Sequence, residues 1–179
     1  ADLPLLLTCS ADDDVPKLGA LVARQCFLLN GYPWPGGGRP IRHVVVDATI
    51  ASRFLHSVFD FAMQAPVGNP LDARTAIGSM ASGVDLRRFI DAVDHAVRRE
   101  EFQQAFGGFV VARDGCFASP TVLVRKSPRL PVAAISAFSG LPGPLIAVDV
   151  SRVPAAERRE GHQSIETFLL SRLSGSGLD

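Results

Sequence analysis

The chain has one tryptophan and one tyrosine among 179 residues, three cysteines, two lysines and no surplus charge of either sign. Eighteen basic side chains balance eighteen acidic ones, so no overall field draws the protein to nucleic acid or to an anionic membrane. The charges are unevenly spread: Asp12, Asp13 and Asp14 come early, whereas Arg125, Lys126, Arg129, Arg152, Arg158 and Arg159 come late. Both groups read as solvated surface. Cys9, Cys26 and Cys116 form neither a disulfide framework nor a metal-ligand spacing, and no secretory signal precedes them, which points to an intracellular, reducing compartment. No apolar run approaches the ~20 residues that a membrane-spanning helix needs. The chain starts at Ala1 rather than methionine, from which we expect that a targeting peptide or a preceding domain was removed, with the mitochondrial matrix as the favoured compartment.

What is present can fill a core. Hydrophobic residues make up 47% of the chain and its mean hydropathy is +0.21, enough for one globular domain of this length. Arginine outnumbers lysine, which suits guanidinium groups held in interfaces, although codon bias explains the imbalance as well. Pro4 to Thr8 reads as a short strand closed by the turn-forming Ser10 to Asp14. Val15, Leu18, Val22, Cys26 and Leu29 recur at helical spacing, and Asn30-Gly31 is a helix stop. Pro33, Pro35 and Gly36-Gly37-Gly38 then form a loop. Ile41 to Val46 is a β-branched strand, after which Asp47 is placed to cap a helix with the stripe Ile50, Phe54, Val58, Phe61 and Ala65. Leu86, Phe89, Ile90, Val93 and Val97 predict a third helix. Phe109 to Ala112, Thr121 to Val124 and Leu145 to Val148 predict strands, the last set off by Pro142, Gly143 and Pro144. Strands alternating with helices predict an α/β fold of three layers, a mostly parallel sheet with helices on both faces. Residues 1–150 are expected to form the core, with 151–179 as an extension able to contact another subunit. The stretch Ser174 to Asp179 is expected to be mobile.

Three motifs occur in order: Asn30-Gly31-Tyr32-Pro33-Trp34, then Pro66-Val67-Gly68-Asn69-Pro70-Leu71-Asp72, then Gly115-Cys116-Phe117-Ala118-Ser119-Pro120-Thr121-Val122. Together they resemble the catalytic domain of aldehyde dehydrogenases, whose motifs are Asn-Gly-Gln-x-Cys, Val-Gly-Asp/Asn-Pro-hydrophobic-Asp and Gly-Tyr/Phe-Phe-x-x-Pro-Thr-hydrophobic. Three ordered matches are far more specific than one short motif. The likeness runs from Leu3 to about Val150, and Arg159-Glu160-Gly161 with Ile165-Glu166-Thr167-Phe168-Leu169 resembles a stretch near the family's C-terminus. The resemblance implies a truncated fold in which the cofactor domain and several late elements are absent and the general-base glutamate falls before Ala1.

It also implies a thiolate nucleophile, and the position that should hold it is Trp34. An indole cannot add to an aldehyde carbonyl. Pro35 removes one main-chain donor from the same turn, although the Trp34 N–H could still serve an oxyanion. The family's Glu-x-Phe-Gly-Pro motif, whose glutamate holds the cofactor ribose, corresponds to Gly140-Leu141-Pro142-Gly143-Pro144, with no carboxylate.

No other residue takes over the chemistry. Cys26 belongs to a helical stripe and reads as a packed thiol, Cys116 as a small buried side chain, and Cys9 as a turn residue with no histidine nearby in sequence. His43, His56, His95 and His162 lack metal spacing and read as surface or hydrogen-bonded structural residues. Gly36-Gly37-Gly38 lacks the Lys-Ser/Thr of a phosphate loop and reads as a plain loop. The sequence therefore predicts no catalytic, cofactor-binding or metal-binding residue and no cofactor. We expect a pseudoenzyme, a structural or accessory subunit bound to other proteins in a hetero-oligomer. The expected contacts are Leu145 to Val148 and Ile165 to Leu173, because a sheet edge and an apolar face left by missing elements need a cover. A fragment of a divergent NAD(P)-dependent enzyme, or a small-molecule binding module using the former substrate tunnel, are the alternatives.

Overall fold

A computed structural model describes residues 6–9, 14–28, 30, 41–99, 101–112, 115–126, 138 and 140–151, with Leu6 to Cys9 and Ser151 described by backbone alone. The elements follow in the order β1 (Leu6–Cys9), α1 (Val15–Phe27), β2 (His43–Asp47), α2 (Ala51–Gln64), α3 (Gly83–Arg98), β3 (Phe102–Phe106), β4 (Val110–Ala112), β5 (Phe117–Ala118), β6 (Thr121–Arg125) and β7 (Leu145–Ser151). Five strands form one sheet in the order β1-β2-β7-β6-β3, with β1, β2, β7 and β6 parallel and β3 antiparallel to β6. Strands β4 and β5 form a separate antiparallel pair.

The central strands carry apolar residues on both sides, as a sheet covered on both faces requires. On one face Val44 and Val46 of β2, Val122 of β6, and Ile146 and Val148 of β7 join Val15, Leu18, Val22 and Cys26 of α1 and Phe54, Val58 and Ala62 of α2. On the other, Leu123, Leu145 and Ala147 join Phe89, Val93 and Ala96 of α3, with Phe102 and Phe138 in edge-to-face contact at 5.3 Å between ring centroids. The three layers expected from the sequence are present. At Gly19 a Cβ would lie 2.7 Å from the Ser57 Cβ, so glycine lets α1 and α2 approach closely.

Several local expectations need correction. Leu145 to Val148 does not form an exposed edge: β7 pairs with β2 on one side and β6 on the other, and these four side chains are fully buried. It is unavailable as a partner contact. Cys9 closes β1 opposite Val46 rather than lying in a turn. Asp47 does not cap α2, whose N-cap residue is Ile50. The Asp47 carboxylate instead accepts from the N–H and the hydroxyl of Thr49, a local turn that precedes the helix. Along α2, Ala62 is buried and Phe61 half-buried. The edge strand β3 was not foreseen, because Phe102–Phe106 carries exposed Gln103, Gln104 and Ala105 and lacks a period-two apolar pattern. α3 is the best terminated helix: the Ser82 hydroxyl accepts from the Asp85 N–H, Asp85 sits in the first turn, and His95 and Arg98 sit in the last.

Candidate functional site

The motif residues converge where α1 ends, β2 begins and the Gly140–Pro144 loop enters β7. Helix α1 stops at Phe27, and Asn30 turns the chain with a left-handed φ of 48°. Asn30 rather than a described glycine makes this turn, which asparagine tolerates better than most residues. Its side-chain Nδ2 donates to the carbonyls of Gly78 (2.9 Å) and Ser79 (3.1 Å), and its carbonyl accepts from the Gly143 N–H. Arg42, immediately before β2, is almost fully buried and directs its guanidinium at the same loop. Nη2 donates to the Leu141 carbonyl (2.6 Å), and Nη1 donates to those of Gly143 (2.6 Å) and Leu145 (2.9 Å). Arg42 Nε and Asn30 Oδ1 are buried without a hydrogen-bond partner among the described residues.

The Asn30 main-chain carbonyl and the Arg42 guanidinium thus hold the Gly140–Pro144 loop from either side of the segment 31–40. The Arg42 guanidinium is held by main-chain carbonyls alone, so burial lowers its pKa to about 10 against a smaller opposing effect of Cys26, and it stays cationic at neutral pH. The Cys26 thiol donates to the Ile41 carbonyl at 3.1 Å and is fully buried. Burial pushes it up to about 12, with the Arg42 charge opposing that rise. A thiol held there supplies almost no thiolate at neutral pH. The packed role expected for Cys26 holds.

Trp34 and Gly36-Gly37-Gly38 lie outside the described residues, as do His162 and Ile165 to Leu173. Cys116 is half-buried with a left-handed φ of 55° and its carbonyl accepts from the Met80 N–H, so it is a turn residue rather than the core residue expected. His56 is exposed beside Asp60 on α2, and His95 is exposed on α3. Among the described residues no group of three or more His, Cys, Asp or Glu side chains is placed to hold a metal ion. No described helix is long and apolar enough to cross a membrane. Gly140 opens the Gly140–Pro144 loop with a left-handed φ of 67° and offers no carboxylate.

One buried polar cluster escaped the sequence reading. His43 Nε2 lies 2.6 Å from Asp149 Oδ2, and Arg125 Nε lies 2.9 Å from Asp149 Oδ1, a charge contact rather than an aligned hydrogen bond. The carboxylate accepts, so the imidazole proton facing it sits on Nε2, while Nδ1 is buried without a partner among the described residues. The Arg125 guanidinium also lies over the Phe102 ring at 5.1 Å. The available signal was a titratable or charged residue in each of three mostly apolar strands, His43 in β2, Arg125 in β6 and Asp149 in β7.

This geometry belongs to a recognisable lineage. Residues 40–149 match the aldehyde dehydrogenase family. The chain belongs to that family. It is 27% identical over 137 residues to 3-sulfolactaldehyde dehydrogenase of Priestia aryabhattai, covering 76% of this chain and 26% of that one. To betaine aldehyde dehydrogenase of Vibrio vulnificus it is 28% identical over 149 residues, covering 81% and 28%. Among solved structures, the Δ-pyrroline-5-carboxylate dehydrogenase of Mycobacterium tuberculosis superposes with a TM-score of 0.73 at 18% identity, covering 96% of this chain and 33% of that one. The NAD-dependent aldehyde dehydrogenase of Sinorhizobium meliloti superposes with a TM-score of 0.68 at 20% identity, covering 87% and 29%. These likenesses establish the aldehyde dehydrogenase catalytic-domain fold. The chain spans about a quarter to a third of the length of these relatives. The family match begins at residue 40, so the alignment of Trp34 rests on the Asn30-Gly31 motif that precedes it.

Proposed function

We propose that this chain is a non-catalytic aldehyde dehydrogenase domain that serves as a structural or accessory part of a larger protein assembly. The observation that carries this reading is that Cys26, the cysteine closest in sequence to the Asn30-Gly31 motif, is sealed in the core and held protonated, while the motif itself continues to Trp34 rather than to a cysteine. Thiohemiacetal formation needs a thiolate with open access to a carbonyl carbon, and Cys26 has neither property. Gly140 supports the reading independently, because it removes the carboxylate that would hold a nicotinamide ribose. The motif loops are instead fastened by Asn30 and Arg42 to main-chain groups, an arrangement that stiffens the scaffold without presenting a reactive atom.

The test uses the full-length protein from its native source, incubated with NAD or NADP and a panel of aliphatic and aromatic aldehydes while reduced nicotinamide is followed by absorbance. No turnover above buffer is expected, and Trp34→Cys is expected to remain inactive because grouped catalytic residues act as a unit. Turnover that disappears on Cys26→Ala or Cys116→Ala would overturn the proposal.

A further inference from the structure

Three of the five exposed large hydrophobic side chains among the described residues lie in two neighbouring segments: Val84 (70% exposed) on the first turn of α3, and Phe109 (61%) and Val111 (47%) at β4. Between those segments lies an open groove of about 360 Å³, lined by Gly83, Leu86, Arg87, Ile90, Gly108 and Val110. Leu86 is buried and Ile90 and Val110 are half-buried, so apolar side chains form part of the lining and polar groups the rest. Arg87 is the one charged lining residue. It makes no ion pair among the described residues, whereas its neighbour Arg88 faces Asp85 at 3.7 Å. Apolar surface that stays wet gains free energy when covered, and an unpaired guanidinium on its wall selects for a carboxylate. The wall opposite α3 is built on β4, which pairs with β5 on one side and with no described strand on the other.

We propose that this groove is a docking site for an extended segment of a partner protein, one that carries aliphatic side chains flanking a single Asp or Glu. The aliphatic side chains cover Leu86, Ile90 and Val110, the carboxylate pairs with Arg87, and the main chain lies along β4. A helix facing an edge strand is a recurring geometry for strand addition, in which main-chain hydrogen bonds supply affinity and alternate side chains supply specificity. The proposal rests on the interaction role given above for its partner, but not on the absence of catalysis. The groove and the Asn30–Arg42 region use different residues, so peptide binding and aldehyde turnover are read separately.

The probe is an acetylated, amidated peptide Leu-Val-Glu-Val-Leu, titrated into the ¹⁵N-labelled full chain, with the matching Gln and Lys peptides as controls. The expected result is a saturable shift of the amides of Leu86, Arg87, Ile90, Gly108 and Val110. The Glu peptide is expected to bind about two- to fivefold more tightly than the Gln peptide, the range of one solvent-exposed ion pair. Arg87→Glu is expected to reverse the preference in favour of the Lys peptide, and Ile90→Asp to abolish binding. Circular dichroism of each variant establishes that it is folded, and Arg87, being exposed, is changed without disturbing the core. No shift at millimolar peptide, shifts centred elsewhere, or a Glu preference that survives Arg87→Glu would each refute the proposal. Hexanoate alone shifting the same amides as strongly would refute it in favour of a small carboxylic acid. A dimer by light scattering that Ile90→Asp dissolves would refute it in favour of a second copy of the chain.

Discussion

Substituting Gly143 by alanine isolates the contact that joins the Gly140–Pro144 loop to the α3 layer. Gly143 has a φ of 111°, a conformation that L side chains rarely adopt, and forcing alanine into it costs about 1 to 3 kcal/mol. The new Cβ would also lie 2.2 Å from Phe89 Cδ2 and 2.8 Å from Cε2 and Cγ. Phe89 is almost fully buried among Val93, Leu141 and Leu145, so its ring has nowhere free to go. Overpacking of this kind costs about 1 to 3 kcal/mol more. Moving the loop instead of the ring would break the Gly143 N–H bond to the Asn30 carbonyl and the Arg42 bond to the Gly143 carbonyl. The expected loss is therefore about 2 to 6 kcal/mol, a large share of a typical stability of ~5 to 15 kcal/mol. Urea unfolding followed by circular dichroism measures it. Gly140→Ala is the control: its φ of 67° is also left-handed, but nothing lies within 4 Å of the added Cβ, so only the backbone cost of about 1 to 2 kcal/mol is expected. In a double-mutant cycle, Phe89→Leu should cost less in the Gly143→Ala background than alone, with a coupling of about 0.5 to 3 kcal/mol. Equal losses for the two glycine substitutions, or no coupling to Phe89, would refute the reasoning.

Arg42→Lys is expected to destabilise by about 2 to 4 kcal/mol in the same assay, because one ammonium cannot reproduce the fork that reaches the Leu141, Gly143 and Leu145 carbonyls. Asp149→Asn removes the carboxylate shared by His43 and Arg125 and is expected to cost about 3 kcal/mol, with an Asp149→Asn variant as stable as the parent arguing that the cluster contributes nothing net. The alkaline limb carries a signature of Cys26 and Arg42. The folded thiol pKa is raised from 9.0 to about 12, so its contribution is fully present below pH 9.0 and is lost as pH rises towards 12; Arg42, lowered from its ordinary value to about 10, begins to offset that loss only above about 10. Between pH 9 and 10 the parent should therefore lose about 1 kcal/mol that Cys26→Ala does not lose, and parallel pH profiles would contradict the assignment.

Much of the architecture was legible because it rests on local periodicity. The Val15, Leu18, Val22, Cys26 stripe placed α1, the β-branched run placed β2, and the Leu86, Phe89, Val93 stripe placed α3, each because burial of one face repeats at a fixed interval along the chain. The inert environment of Cys26 followed from its place in its stripe. The strand β3 was illegible for the opposite reason: at a sheet edge only Phe102 is buried, so Gln103, Gln104 and Ala105 leave no alternation to detect.

The sequence by itself determined the family, the layered class and the residues present at the motif positions, since composition, spacing and order are properties of the chain. It also determined that the Asn30-Gly31 motif is followed by Trp34 rather than a cysteine, and that Gly140-Leu141-Pro142-Gly143-Pro144 carries no carboxylate. Tertiary structure alone decided that β7 lies between β2 and β6, because strand order depends on how the chain crosses over the sheet and not on any local pattern. It likewise brought Arg42 to the Leu141 carbonyl across 99 residues and His43 to Asp149 across 106. Those contacts form because polar groups carried into a core by their apolar neighbours must find partners there, and which partners are within reach is settled only when the layers close.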